Sequence, residues 1–258
     1  MKRKLSAVVF FAAAAMLACA ASAGAVDGTI EINQAKVLAG SGFPYFITSS
    51  GSYRLTGNLT VSAAFDAIDV TANNVTIDLN GFSIVGAGGG FGINASGNND
   101  VTVENGAVTG FTNGVDVGTS GIVRNVHADG NTGGIFGGNN TVIEGCTANS
   151  STTFNGITCA AGCAISGNTA NGNAGVGINS GNGSVISGNT AFHNTSNAGI
   201  NCFGSGCLIT GNTAFNNSIG IAASDGTTGY AGNVLDQTTN VGGGTNLGHN
   251  LCSGTICP

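Results

Sequence analysis

The chain has no tryptophan, two prolines and very little charge: only 7% of its residues are Asp, Glu, Lys or Arg. Each shortage excludes something. Six Lys and Arg stand against twelve Asp and Glu, and three of the six are Lys2, Arg3 and Lys4. So few cations cannot supply the phosphate-neutralising surface that nucleic acid or anionic lipid requires. The acidic balance also disfavours a polyanionic sugar unless a cation bridges the two. Without tryptophan the strongest sugar-stacking platform is missing; Phe136, Phe192, Phe203 and Phe215 are the substitutes. The only long apolar run is N-terminal. It follows Lys2-Arg3-Lys4 and ends in the small residues Ala21-Ser22-Ala23, the pattern of a cleaved secretory signal. Residues 1–25 are therefore read as a signal peptide. The remainder is expected to be secreted, extracellular or periplasmic, with no membrane span.

What the chain has in excess is glycine, 46 residues, and an internal repeat. GITCAAGCAISGNTANGNAGV, GINSGNGSVISGNTAFHNTSNA and GINCFGSGCLITGNTAFNNSI follow one another from Gly156. An apolar residue recurs at Ile93, Val115, Ile135, Ile157, Ile178, Ile200 and Ile221, in steps of 20 to 22 residues. A second column runs Ile77, Val103, Val123, Ile143, Ile165, Ile186, Ile209 and Tyr230. A period near 20 to 25 residues means a solenoid. A leucine-rich repeat needs several leucines per unit and a helical or extended return arm. Here leucine is scarce, and Gly, Asn, Ser, Thr and β-branched residues favour short strands and tight turns. No helical periodicity longer than a turn occurs within the repeats. Each unit is therefore expected to be one coil of an all-β parallel β-helix of about nine coils, rising about 4.8 Å per coil. The Gly-Asn pairs ending at Asn58, Asn168, Asn189, Asn212 and Asn233 are expected at its corners, because both residues tolerate a left-handed backbone.

SVISGNTAFHNTSNAGI and CLITGNTAFNNSIGI resemble the parallel β-helix repeat of pectate-lyase-like and related secreted bacterial proteins. SGSYRLTGNLTV with AIDVTANNVTIDLNGFSIVG resembles the first coils of such chains. The resemblance spans roughly residues 45–235. It implies a right-handed single-stranded β-helix and, more often than any other ligand class, carbohydrate. The scaffold itself does not fix an activity.

Residues 26–46 differ from the repeats and are expected to cap the open end, with a short amphipathic helix over Glu31–Leu38 ended by Gly40. Residues 47–235 form the β-helix, with Gly86–Gly90 as a flexible insertion. Residues 236–258 read as a loop closing the far end. Cys159 with Cys163, Cys202 with Cys207, and Cys252 with Cys257 read as three local disulfides of an oxidising compartment. Cys146 is left over, in the column of the asparagine corner, as a small semi-buried residue. The cysteine spacings are not those of a zinc site, and no metal is expected.

The residue after the second apolar column points outward: Asp78, Glu104, Arg124 and Glu144, then Ser166, Ser187 and Thr210. Four charged residues on adjacent coils read as a salt-bridge ladder. Read instead as a site, Arg124 with Glu104 and Glu144 is the catalytic set. The lyases that the chain resembles use an Arg or Lys base with carboxylate-bound Ca²⁺, which makes Ca²⁺ the one cofactor that reading would add; otherwise none is expected. Asp78, Asp116, His127 and Asp129 join this reading as ligand-binding residues. On the Gly-Ile strand the outward residues run Asn94, Asp116, Phe136, Thr158, Asn179, Asn201 and Ala222. Only one is ionisable, which argues against a lyase or hydrolase site on that face. The paired aspartates of polygalacturonases are absent. A row of Thr147, Thr169, Thr190 and Thr213 raises ice binding, but that needs two such rows. The reading preferred is a non-catalytic glycan-binding or cell-surface structural protein. A polysaccharide lyase, epimerase or hydrolase is the alternative, and ice binding a remote third.

Overall fold

The computed structural model describes residues 28–195, 198–236 and 239–257. The signal reading of residues 1–25 lies outside them. No helix among the described residues is long and apolar enough to cross a membrane. The chain winds into a parallel β-solenoid of about nine turns. The strands form three sheets, of 13, 10 and 6 strands among the described residues, the third beginning at Thr169. They are called here the first, second and third sheet.

The two apolar columns stack in register. In the second sheet Ile68, Ile93, Val115, Ile135, Ile157, Ile178, Ile200 and Ile221 lie one above another. In the first sheet Tyr53, Ile77, Val103, Val123, Ile143, Ile165, Ile186, Ile209 and Tyr230 do the same. A third inward column, Ala170, Ala191, Ala214 and Leu235, belongs to the third sheet. These side chains are buried. Each column fills the same place in the bore turn after turn, which is why the repeat is so regular.

The corners use glycine and asparagine differently from expectation. Gly167, Gly188, Gly211 and Gly232 carry the left-handed backbone, with φ between 62° and 65°. The asparagines that follow them are not left-handed. Asn168, Asn189, Asn212 and Asn233 turn inward and are fully buried. Each carboxamide bonds the next: Asn168 Nδ2 donates to Asn189 Oδ1 at 3.0 Å, Asn189 to Asn212 at 3.0 Å, Asn212 to Asn233 at 3.1 Å, and Asn233 to Asn250 at 2.9 Å. The backbone N–H of each donor residue joins the same oxygen. The amides also donate to the carbonyls of Ile143, Ile165, Ile186 and Ile209. A buried amide is tolerated only when its donors and acceptor are paired, and here every turn supplies the partners for its neighbour. Asn58 is not part of this ladder. Leu59 pairs with Ile84, so Asn58 falls one position further along, where it is exposed and accepts from Ser83 N.

A second ladder runs through the next corner. Asn173, Asn194 and Asn217 are buried and bonded in the same way. Their left-handed predecessors are Gly172, His193 and Asn216. The amides of this ladder fill the space beside the glycine of each Gly-Ile pair. A Cβ on Gly177 would lie 2.6 Å from Asn194 Nδ2 and 2.6 Å from Gly199 O. The Gly-Ile motif is thus one half of a packing pair whose other half is the second-corner asparagine.

Cys146 occupies the top of the first ladder. It is buried, its N–H donates to Asn168 Oδ1, and its Sγ lies 3.5 Å from Val123 O. That contact is the counterpart of the asparagine-to-carbonyl bonds below it. Burial pushes its thiol up to about 11, so it is a poor thiolate at neutral pH. The three expected disulfides are present: Cys159–Cys163, Cys202–Cys207 and Cys252–Cys257. The first two close the remaining corner from inside, two turns apart. Each closes a very short loop, worth about 2 kcal/mol in the loop-entropy account.

Both ends differ from the sequence reading. The helix is Gln34–Ala39, started by Asn33, whose side chain accepts from Lys36 N. Ile30–Ile32, expected in the cap, already pairs with the strand Gly51–Leu55, and Tyr45–Ile47 opens the second sheet. At the far end, residues 239–252 add one more strand to each sheet. An antiparallel strand, Thr255–Ile256, then pairs with Leu251-Cys252. The tail is a further turn closed by a hairpin.

Candidate functional site

The first outward row carries the charge. Pairing places Glu31, Arg54, Asp78, Glu104, Arg124 and Glu144 on successive turns of the first sheet, so Asp78 and Glu104 are direct neighbours. Two ion pairs form: Arg54 Nε to Asp78 Oδ2 at 3.1 Å, and Arg124 Nε to Glu104 Oε2 at 2.6 Å. Arg54 and Glu31 extend the row beyond the four residues named from sequence. Burial alone would raise Asp78, but hydrogen bonds from Asn80, Asn105 and Arg54, with the charge of Arg54, hold it below the usual carboxylate range. Glu104 holds the Arg124 guanidinium even more firmly protonated, by hydrogen bond and by charge. That pairing opposes the proton loss that a base role demands. Beyond Glu144 a shallow hollow of about 660 Å³ follows the glycine corner past Ser166 and Ser187.

His127 and Asp129 do not join this row. They flank Thr147, which bridges His127 of the first sheet to Thr169 of the third. Thr147 Oγ1 donates to Asp129 (3.0 Å to each oxygen), and His127 Nδ1 lies 3.0 Å from the same hydroxyl. The single hydroxyl proton goes to the carboxylate, so the imidazole must be the donor to Thr147. This is the wrong polarity for activating Thr147 as a nucleophile. Thr147, Thr169, Thr190 and Thr213 do stack. The next outward row holds Asn171, Phe192 and Phe215, the two rings stacked at 5.5 Å. The second threonine row that ice binding needs is therefore not beside the first.

The outer face of the second sheet holds more than its sequence row suggested. Its outward residues begin two turns before Asn94: Phe46, Asp69, Asn94, Asp116, Phe136, Thr158, Asn179, Asn201. Asp66 reaches in beside them. Its Oδ1 accepts from Phe91 N at 2.7 Å, and its Oδ2 accepts from Asn94 Nδ2 at 3.2 Å. Burial, then the hydrogen bond to Asp66 and its charge, push Asp69 up to about 6, against Asn94. Burial pushes Asp116 up to about 6 as well, against a hydrogen bond from Asn113. Asp69 Oδ1 is buried and has no donor. The neighbouring Asp66 carboxylate disfavours ionisation there. Phe46 is half exposed at one end of the carboxylates, and Phe136 is partly exposed at the other. Further along, Asn201 Nδ2 donates to Asn179 Oδ1 at 2.8 Å. The sequence signal for Asp69 was present in AIDV, but the step from Ile68 to Ile93 is 25 residues, longer than the later steps. No cluster of three or more metal-ligating side chains occurs among the described residues.

Neither a protein-family model nor a curated protein matches the chain. Among solved structures, it is similar to the crystal structure of the Dettilon tailspike protein, with a TM-score of 0.55 and 15% identity. The match covers 88% of this chain and 50% of that one. At such identity the likeness shows the fold. The chain is a parallel β-helix repeat protein of tailspike-like architecture. It spans half the length of the tailspike it matches.

Proposed function

We propose that this protein binds an extended polysaccharide along the outer face of its second sheet. One observation carries the reading: the continuous row Phe46, Asp69, Asn94, Asp116, Phe136, Thr158, Asn179, Asn201. Carboxylates and carboxamides accept and donate to sugar hydroxyls, and the phenyl rings offer apolar faces at either end of the acids. Repetition at one turn per residue suits a polymer lying parallel to the solenoid axis. The net negative charge favours a neutral chain.

The test is retention on immobilised neutral polysaccharides: dextran, xylan, mannan, galactan and mixed-linkage glucan. Wild type is expected to bind at least one, and Phe136→Ala together with Asn179→Ala to weaken that binding roughly tenfold or more, the loss of one stacking contact and one hydrogen bond. Binding unchanged in the double variant removes this face from the reading. The alternative is a lyase acting on an acidic polysaccharide at Arg124, Glu104 and Glu144, with Ca²⁺ bridging the charge. The hollow beside Glu144 favours it. That reading expects unsaturated uronate absorbance that Arg124→Ala abolishes; equal activity in the variant removes the site.

A further inference from the structure

Asp69 and Asp116 lie two turns apart on one outer face, with Asn94 between them. Two turns of a parallel sheet separate their backbones by about 9.5 Å. Glycoside hydrolysis with inversion uses two carboxyl groups about 6.5 to 9.5 Å apart, leaving room for water between base and sugar. Retention needs about 5 Å, the distance of one turn, and that position is filled by an amide.

We propose that this face cleaves a neutral polysaccharide with inversion at the anomeric carbon, Asp69 acting as general acid and Asp116 as general base. The proposal rests on the glycan-binding reading above and adds a reaction to it. The bond from the anomeric carbon to the glycosidic oxygen breaks, and the Asp69 proton goes to that oxygen. Water attacks the opposite face of the ring, forming the new carbon–oxygen bond, and its proton goes to Asp116. Atoms and charge balance without any further reactant.

Three features fit these roles. The buried Asp69 Oδ1 has no donor, an environment that favours the uncharged carboxyl a general acid needs. Asp66 is itself pinned by Phe91 N and Asn94 Nδ2, so it is a positioning residue whose charge favours the protonated form of the neighbouring acid. Asp116 stands apart from that pair, on the other side of Asn94, with Asn113 as its hydrogen-bond donor. Phe46 and Phe136 lie one turn beyond the acid and the base, where the flanking sugars of the chain would rest.

The experiment incubates the wild-type chain with the five neutral polysaccharides and follows binding and new reducing ends together. Release of reducing ends is expected from the polysaccharide that binds, with the newly formed anomer inverted by proton NMR. Asp69→Asn and Asp116→Asn should each lower the rate by about 10² to 10⁴-fold, far more than they weaken binding, while circular dichroism stays unchanged. The anomeric readout needs no variant, so it stands even if one of them fails to fold. Binding without any new reducing ends overturns the hydrolytic proposal and leaves the binding reading intact. Retained configuration, or wild-type rates in Asp116→Asn, overturns the assignment of the pair. No binding to any of the five overturns both.

Discussion

Asn189→Ala is expected to destabilise the protein by roughly 3 to 5 kcal/mol, far beyond what a corner residue of a turn would cost. The side chain sits in the middle of the first amide ladder. Its oxygen accepts the backbone N–H of Asn168 at 2.9 Å and the Asn168 carboxamide at 3.0 Å. Its own nitrogen donates to Ile165 O and Asn212 Oδ1. Alanine leaves a backbone N–H and a carboxamide hydrogen of Asn168 without acceptors in a site that water does not reach. Each orphaned group costs about 1 to 3 kcal/mol. Thr190, the next residue, is exposed on the outside of the same turn, and Thr190→Ala should change stability by about 0.5 kcal/mol or less. Urea unfolding of the disulfide-intact protein, followed by circular dichroism, separates the two. Equal midpoints for both variants would mean that the ladder does not hold the turns.

Gly177→Ala has the second largest expected effect, about 3 kcal/mol, at the upper end of overpacking costs. The added methyl meets Gly199 O and Asn194 Nδ2, each at 2.6 Å. One contact is backbone and the other is locked in the second ladder, so neither yields without disturbing its own hydrogen bonds. Gly188→Ala is the informative comparison. There φ is 63° and a Cβ would meet nothing within 4 Å, so the cost is the left-handed penalty alone, about 1 to 2 kcal/mol. The order of the two unfolding midpoints therefore reports the reason for each glycine. If Gly188→Ala proved the worse of the two, the packing account of the Gly-Ile motif would be wrong.

These two cases mark where the sequence was legible. Ile157, Ile178 and Ile200 could be placed one above another because an apolar residue at a fixed period has only one way to be buried in a solenoid. The row of Asp78, Glu104, Arg124 and Glu144 followed from the same register, and the three short cysteine pairs needed only spacing. The inward turn of Asn168 and Asn189 was not legible. Asparagine ordinarily reads as turn chemistry, and a buried amide becomes reasonable only once the turn above is known to answer it. Glycine had the same ambiguity: Gly188 is there for its backbone angle and Gly177 for space, and the letters do not differ. Asp69 escaped because the early turns are longer, so the phase that linked Asp116 to Asn94 did not reach it. Thr239–Gly242 escaped because its turn keeps the pairing but loses the isoleucine pattern.

The charged row of the first sheet pairs its cations internally, whereas the carboxylates of the second sheet have only amides and one another for partners. The two carboxyl groups two turns apart are set by the strand pairing of the early turns. Everything proposed for the surface thus depends on the turns stacking as described.

That stacking is tested most directly by spin labels on cysteines replacing Thr190 and Val234. Both positions are exposed on the third sheet, and Thr213 lies between them in one column. Two turns put their backbones about 9.5 Å apart, although 44 residues of chain (234 minus 190) separate them. Strong dipolar broadening in the doubly labelled protein, absent from either single label, is the predicted result. Spectra that simply add the two single labels would contradict the stacked turns and the sites built on them.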